Sequence, residues 1–290
     1  MTLALRPRQK AVDPLQLAPA GAEAKAERAI RRMLAEAVAS VSLAQLESMV
    51  EHRDEIALLR FPLVDPSPLE AILLRTVQAA GVREAAAIEV VKAKPEPAAS
   101  ISASFNLADP AAAAWAQQRA GELVVEISEG TRDSIRALIQ RAVIEGGHPT
   151  VIARDIKPLI GLHSRWSTAV LNYRYSLEAN GMSASRVGEL SARYYDKLLT
   201  TRSRTIARTE ILKSANEGKA QGWAQAQAQG LLPQNATKVW VAAGDAEAIC
   251  ADLDGTEVGL GEDFSSELGD VSMPPLHPNC RCTCSIGRGQ

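Results

Sequence analysis

Aromatic side chains are scarce in this sequence: Trp, Tyr and Phe make up 4% of 290 residues. With alanine abundant, that favours helices packed through small side chains. Charge of one sign is also lacking. A net charge of −2 excludes a global polycation, so any nucleic-acid contact must be local. No apolar run reaches the roughly 18 residues of a transmembrane helix. Arg6, Arg8 and Lys10 are followed by Ala11-Val12-Asp13-Pro14, which is no signal-peptide core. A cytosolic chain is therefore expected, where thiols stay reduced. There is no Gly-x-Ser-x-Gly elbow and no P-loop string. A deaminase pattern is absent too, because His277 is followed by Pro278-Asn279 rather than by x-Glu.

Cysteine is rare but concentrated. Three of the four cysteines lie in Met273-Pro274-Pro275-Leu276-His277-Pro278-Asn279-Cys280-Arg281-Cys282-Thr283-Cys284. Proline fixes φ and removes backbone donors, so this string reads as a stiffened loop that aims His and Cys side chains. Cys250 stands thirty residues before Cys280. One Cys, a His and a Cys cluster are enough soft ligands for a tetrahedral zinc. The expected ligands are Cys250, His277, Cys280 and Cys282, with Cys284 as a substitute. Ligands two apart in an extended strand point to opposite faces, so one of Cys280 and Cys282 is expected to turn away. Reduced thiols that merely pack are the alternative. A disulfide from Cys250 to Cys280 or Cys282 comes third. Catalytic zinc needs three protein ligands, an open position and a nearby carboxylate base, and is not expected.

Cys250-x-x-Leu253-Asp254-Gly255, paired with the Pro-Pro-Leu-His-Pro-Asn-Cys-Arg-Cys string, resembles the phage Mu F-like minor head protein (head morphogenesis) family. Thr205-Ile206-Ala207-Arg208-Thr209-Glu210, followed by Ala215-Asn216-Glu217-Gly218, agrees with it. The resemblance covers roughly residues 150 to 286. Many members carry Cys-x-x-Cys before Leu-x-Gly; here Glu247 stands at the first position and Cys250 at the second. The resemblance implies a non-enzymatic minor capsid protein that binds portal protein and major capsid or scaffolding protein during procapsid assembly and DNA packaging. It would sit in the host cytoplasm during assembly and then in the virion near the portal vertex. The alternative is a zinc-stapled DNA-binding module acting on packaged or entering phage DNA. Some relatives carry toxin enzymes beyond the cysteine motif, and none is expected here.

The rest reads as mainly α: a multi-helix body with a small C-terminal α+β lobe. Residues 1–20 read as a disordered arm and 21–92 as an N-terminal helical layer. In that layer Ile30, Met33, Leu34, Ala37, Val38 and Val41 form one apolar face. Ser42 to Gln45 is a capping box, opening a helix to about Leu59 before Phe61-Pro62. A third helix, interrupted near Gly81, should run to about Val91. Residues 93–109 are proline-rich and read as a linker. Residues 110–234 form a helical body that starts at Asp109-Pro110. Breaks are expected near Gly130-Thr131, at Gly146 to Pro149, at Asn180-Gly181 and between two successive helices near residue 200. Residues 235–290 form the Cys/His lobe, with a strand at Thr237–Ala242, a turn at Asp254-Gly255 and a return strand. His148 and His163 read as surface or capping residues.

Charge gives a second pattern. Arg186, Arg193, Lys197, Arg202, Arg204, Arg208, Lys213 and Lys219 crowd the late helices, while the chain from Asp245 to Asp270 is acidic with no basic residue. Arg204 and Arg208, one turn apart, need an acidic neighbour. The acidic lobe is expected to fold back on these bases, with Arg204, Arg208 and Glu210 as interaction residues.

Overall fold

The computed structural model describes residues 4–5, 14–52, 65–91, 100–145 and 148–287. The chain is mostly helical, with short antiparallel strands near the C-terminus. It divides into two units. The first comprises Met1–Ala26, Leu69–Gln118 and Thr205–Gln290; the second comprises Glu27–Pro68 and Arg119–Arg204.

In chain order the described elements begin with β1 (Ala4–Leu5), α1 (Pro14–Leu17), α2 (Ala22–Ala39) and α3 (Leu43–His52). Then come α4 (Ser67–Ala87), β2 (Glu89–Val91), β3 (Ser100–Ser102) and α5 (Pro110–Glu145). α6 (Pro149–Ile156) runs into a 3-10 turn and is followed by α7 (Ser164–Ala179) and α8 (Ala184–Ala228). The lobe holds β4 (Thr237–Val241), α9 (Ala248–Ala251), β5 (Glu257–Gly259), β6 (Phe264–Ser266), β7 (Gly269–Val271) and β8 (Thr283–Ile286).

In the second unit, Ser42 and Gln45 close the expected capping box: the Ser42 N–H donates to Gln45 Oε1 at 2.8 Å and the Gln45 N–H to Ser42 Oγ at 3.1 Å. The expected end of α3 near Leu59 and the Gly146-Gly147 break lie outside the described residues. α6 opens with His148 as N-cap and α7 with His163, each imidazole accepting from a backbone N–H. The bend between the 3-10 turn and α7 places Gly161 at φ +94°, a region an L side chain rarely adopts. Tyr195 Oη donates to the Ile160 carbonyl at 2.9 Å, and Arg202 donates to Gly161 O. α7 ends at Asn180-Gly181 as expected, with Gly181 at φ +73° and the Met182 N–H on the Leu177 carbonyl.

Three expected breaks are absent. α5 continues through Gly130-Thr131, because the buried Thr131 hydroxyl bonds back to the Ile127 carbonyl at 2.8 Å and stays within the helix. The two late helices are one, α8, because no Gly or Pro falls between residues 189 and 217 and Thr201 bonds back to Lys197 O. α4 passes straight through Gly81, which is a contact rather than a break. A Cβ there would lie 2.3 Å from the Phe105 ring. α4 does stop at Ala87 instead of Val91, where the β-branched run Ile88-Glu89-Val90-Val91 goes into β2.

In the first unit α4 and α8 cross at small residues. A Cβ on Gly218 would fall 2.2 Å from the Val77 carbonyl, so only glycine permits that approach. β1, β2 and β3 form a small antiparallel sheet. Residues 93–99, the first part of the expected linker, lie outside the described residues, as do 6–13 of the expected arm. Past β3 the chain is held on α8: Gln229 accepts from the Ser104 N–H and Gln225 from the Asn106 N–H.

The lobe's main sheet runs β5-β4-β8, all antiparallel. The expected turn is present, with Gly255 at φ +79° and the Ala242 N–H capped by Asp254 Oδ1. The third strand, β8, and the β6-β7 hairpin were not expected. Trp240, Phe264, Trp223, Leu253 and Met273 form one buried cluster with all four cysteines. Trp240 and Phe264 meet edge to face at 5.2 Å.

Candidate metal centre

Two segments supply the thiols. Cys250 sits on the short α9, whose first turn closes through the Cys250 N–H on the Glu247 carbonyl at 2.9 Å. Cys280 and Cys282 lie on the approach to β8. Asn279 adopts φ +61°, which Asn tolerates better than most residues, and the Cys280 N–H closes a turn on the His277 carbonyl at 3.1 Å. The chain is therefore not extended here. This corrects the expectation that one of the pair turns away: both sulfurs face inward. Cys250, Cys280 and Cys282 bring their sulfurs within 4.8 Å of one another, all buried, and this group could hold a metal ion.

The separation fits a metal better than a covalent bridge. Cys250 Sγ and Cys280 Sγ are 3.7 Å apart. Bonds of about 2.3 Å to a tetrahedral zinc put two sulfurs about 3.8 Å apart. Protons are shared unevenly among these thiols. Hydrogen bonds from the Cys282 thiol and from the backbone N–H groups of Cys282 and Leu276 lower Cys280 to about 5. Burial, and then the charge of Cys280, push Cys250 up to about 11. The hydrogen bond it gives Cys280, and then burial, push Cys282 up as well. Three thiolates together in a buried site need a cation between them.

Cys284 is elsewhere. It lies in β8 opposite Trp240, where burial pushes its thiol up to about 12. His277 also lies outside the sulfur group. Its Nδ1 is 3.0 Å from the Pro278 carbonyl and 3.8 Å from Glu247 Oε1.

The loop is held on α8 by polar groups, most of them buried. Asn279 N–H donates to Thr209 Oγ1 at 3.0 Å. Buried Asn216 donates to Pro274 O at 3.0 Å and to Cys282 O at 3.4 Å, and accepts from the Thr283 hydroxyl at 2.8 Å. Lys219, 3% exposed, donates to Thr283 Oγ1 at 3.1 Å and to Cys284 O at 2.5 Å, with Glu84 at 4.0 Å. Burial lowers its pKa, while the Glu84 charge raises it. On the far side, buried Lys238 donates to Leu260 O at 3.1 Å and lies over the Phe264 ring.

These contacts differ from the expected salt bridges. Among the described residues no carboxylate between Asp245 and Asp270 pairs with Arg208, Lys213 or Lys219. Arg208 Nε is buried without a hydrogen-bond partner, Glu210 is 2% exposed, and Arg204 faces Glu27 at 3.5 Å. The clamp residues Thr209, Asn216 and Lys219 were not anticipated as such, although two of them stand in the Arg-Thr-Glu and Ala-Asn-Glu-Gly strings.

Fold and site define a helical protein whose C-terminal lobe is organised around a buried thiol cluster. A family model, Phage Mu protein F like protein, matches residues 133–285. The chain belongs to that family, which is associated with phage head morphogenesis. No curated protein and no solved structure matches.

Proposed function

We propose that the protein is a minor head component that acts by binding, docking on portal and capsid or scaffolding subunits while the procapsid forms and DNA is packaged. The observation that carries this is the reach of the family match: residues 133–285 take in the α8 clamp and the cysteine lobe. The lobe is then a rigid docking face, and a single structural zinc on Cys250, Cys280 and Cys282 keeps it rigid. A zinc ion there contributes on the order of 10–16 kcal/mol of apparent binding energy, far more than so small a lobe gains from its own core. When bound it supplies cross-linking charge. Asn216, Lys219 and Thr209 hold the loop in register.

Two features favour protein partners over DNA. Arg186 and Arg193 share Glu189, and Arg204 faces Glu27. Charges paired within the protein add little to phosphate binding. Among the described residues no single helix is long and apolar enough to cross a membrane. The test is co-expression with a phage portal protein and pull-down in high salt. Co-purification that survives nuclease and salt supports the reading. Binding that needs DNA and collapses steeply with salt contradicts it.

A further inference from the structure

Three thiolates leave one position of a closed tetrahedral zinc site to be filled. We infer that His277 fills it through Nε2; the assignment rests on the zinc reading above. The first observation is an orphan. His277 Nε2 is buried and has no hydrogen-bond partner. A buried imidazole nitrogen left that way carries an uncompensated desolvation cost, and a metal bond removes it.

The second observation is the state of the other ring nitrogen. Nδ1 lies 3.0 Å from the Pro278 carbonyl, with the Glu247 carboxylate at 3.8 Å. Both neighbours accept, so the proton belongs on Nδ1 and the lone pair on Nε2. That is how an outer hydrogen bond fixes the tautomer and orientation of a ligating histidine.

The third is connectivity. The His277 carbonyl accepts from Cys280 N–H, so ring and thiol belong to one turn. Glu247, beside the ring, is the N-cap of the helix that carries Cys250. The ring lies outside the 4.8 Å sulfur group, so ligation requires the turn that carries it to move toward the sulfurs with the Nδ1 contact kept. Two other groups compete for the position: Glu247, whose side chain is 72% exposed, and a water.

The test uses the full chain, loaded with zinc for X-ray absorption and with cobalt(II) for visible spectra. Wild-type protein should give three sulfurs and one nitrogen, with metal–nitrogen near 2.0–2.1 Å. His277→Cys should convert this to four sulfurs. His277→Ala should weaken binding at least about tenfold, since even outer partners of a ligand are worth 10–100-fold. Glu247→Gln should keep the nitrogen. Circular dichroism checks that each variant retains its helices, and His277→Cys reads the position even where His277→Ala fails to fold. An unchanged shell and affinity in both His277 variants would overturn the assignment alone. Wild-type protein that takes up neither metal would overturn the zinc reading and the assignment with it.

Discussion

At the scale of residues, a few buried polar atoms hold the lobe on α8. Asn216 serves three backbone and side-chain partners at once. Replacing it by alanine leaves Pro274 O, Cys282 O and the Thr283 hydroxyl short of partners in a buried place. Asn216→Ala should cost about 1–3 kcal/mol, read as earlier denaturant unfolding and faster hydrogen exchange over residues 273–284. Unchanged exchange there would show that the clamp is not needed. The thiols and their proline-rich loop were legible because cysteine, histidine and proline are rare and chemically specific. Asn216 and Lys219 were not, because an asparagine or lysine on a polar helix looks solvated until the packing is known. The turn at Asn279 was equally hidden. Nothing in Pro-Asn-Cys fixes φ at +61°, in the turn that leads into Cys280 and Cys282.

At the scale of elements, helix identity was readable from apolar spacing and caps, and continuity was not. Gly130, Gly81 and the Thr200-Thr201 pair all read as interruptions, but each lies inside a helix. Glycine weakens a helix by roughly 0.5–1 kcal/mol relative to alanine, which tertiary contacts outweigh at Gly81. The crossing of α4 and α8 turns this into a contrast between two glycines of one helix. Gly218→Ala pushes a Cβ to 2.2 Å from Val77 O, so it should destabilise by about 1–3 kcal/mol through overpacking. Gly188→Ala meets nothing within 4 Å and should be neutral or stabilise by up to about 1 kcal/mol. Thermal melts of the two variants check this; equal shifts would mean that the close approach is not real. β8 escaped notice for another reason. Thr283–Ile286 is four residues long, too short for alternation to stand out beside the cysteines.

At the scale of the whole molecule, composition pointed to the class and the cysteine strings to the family. The lobe does fold back on the basic helix, but through Thr209, Asn216 and Lys219 rather than through the expected ion pairs: charge counts along a sequence do not say which charges meet. A metal-held lobe also has a pH signature. Ligation needs deprotonated thiols and a neutral imidazole, so protons compete with zinc and occupancy should fall as pH drops toward 5. Zinc retained well below that would contradict thiolate and imidazole ligation. Cys250→Ser should release the metal and unfold residues 237–286 while the helical circular dichroism persists. The most direct measurement is the zinc content of protein purified anaerobically, beside a thiol count. The account predicts about one zinc per chain, lost together with the structure of the lobe when a strong chelator is added. Metal-free protein with four titratable thiols and an intact lobe would contradict it.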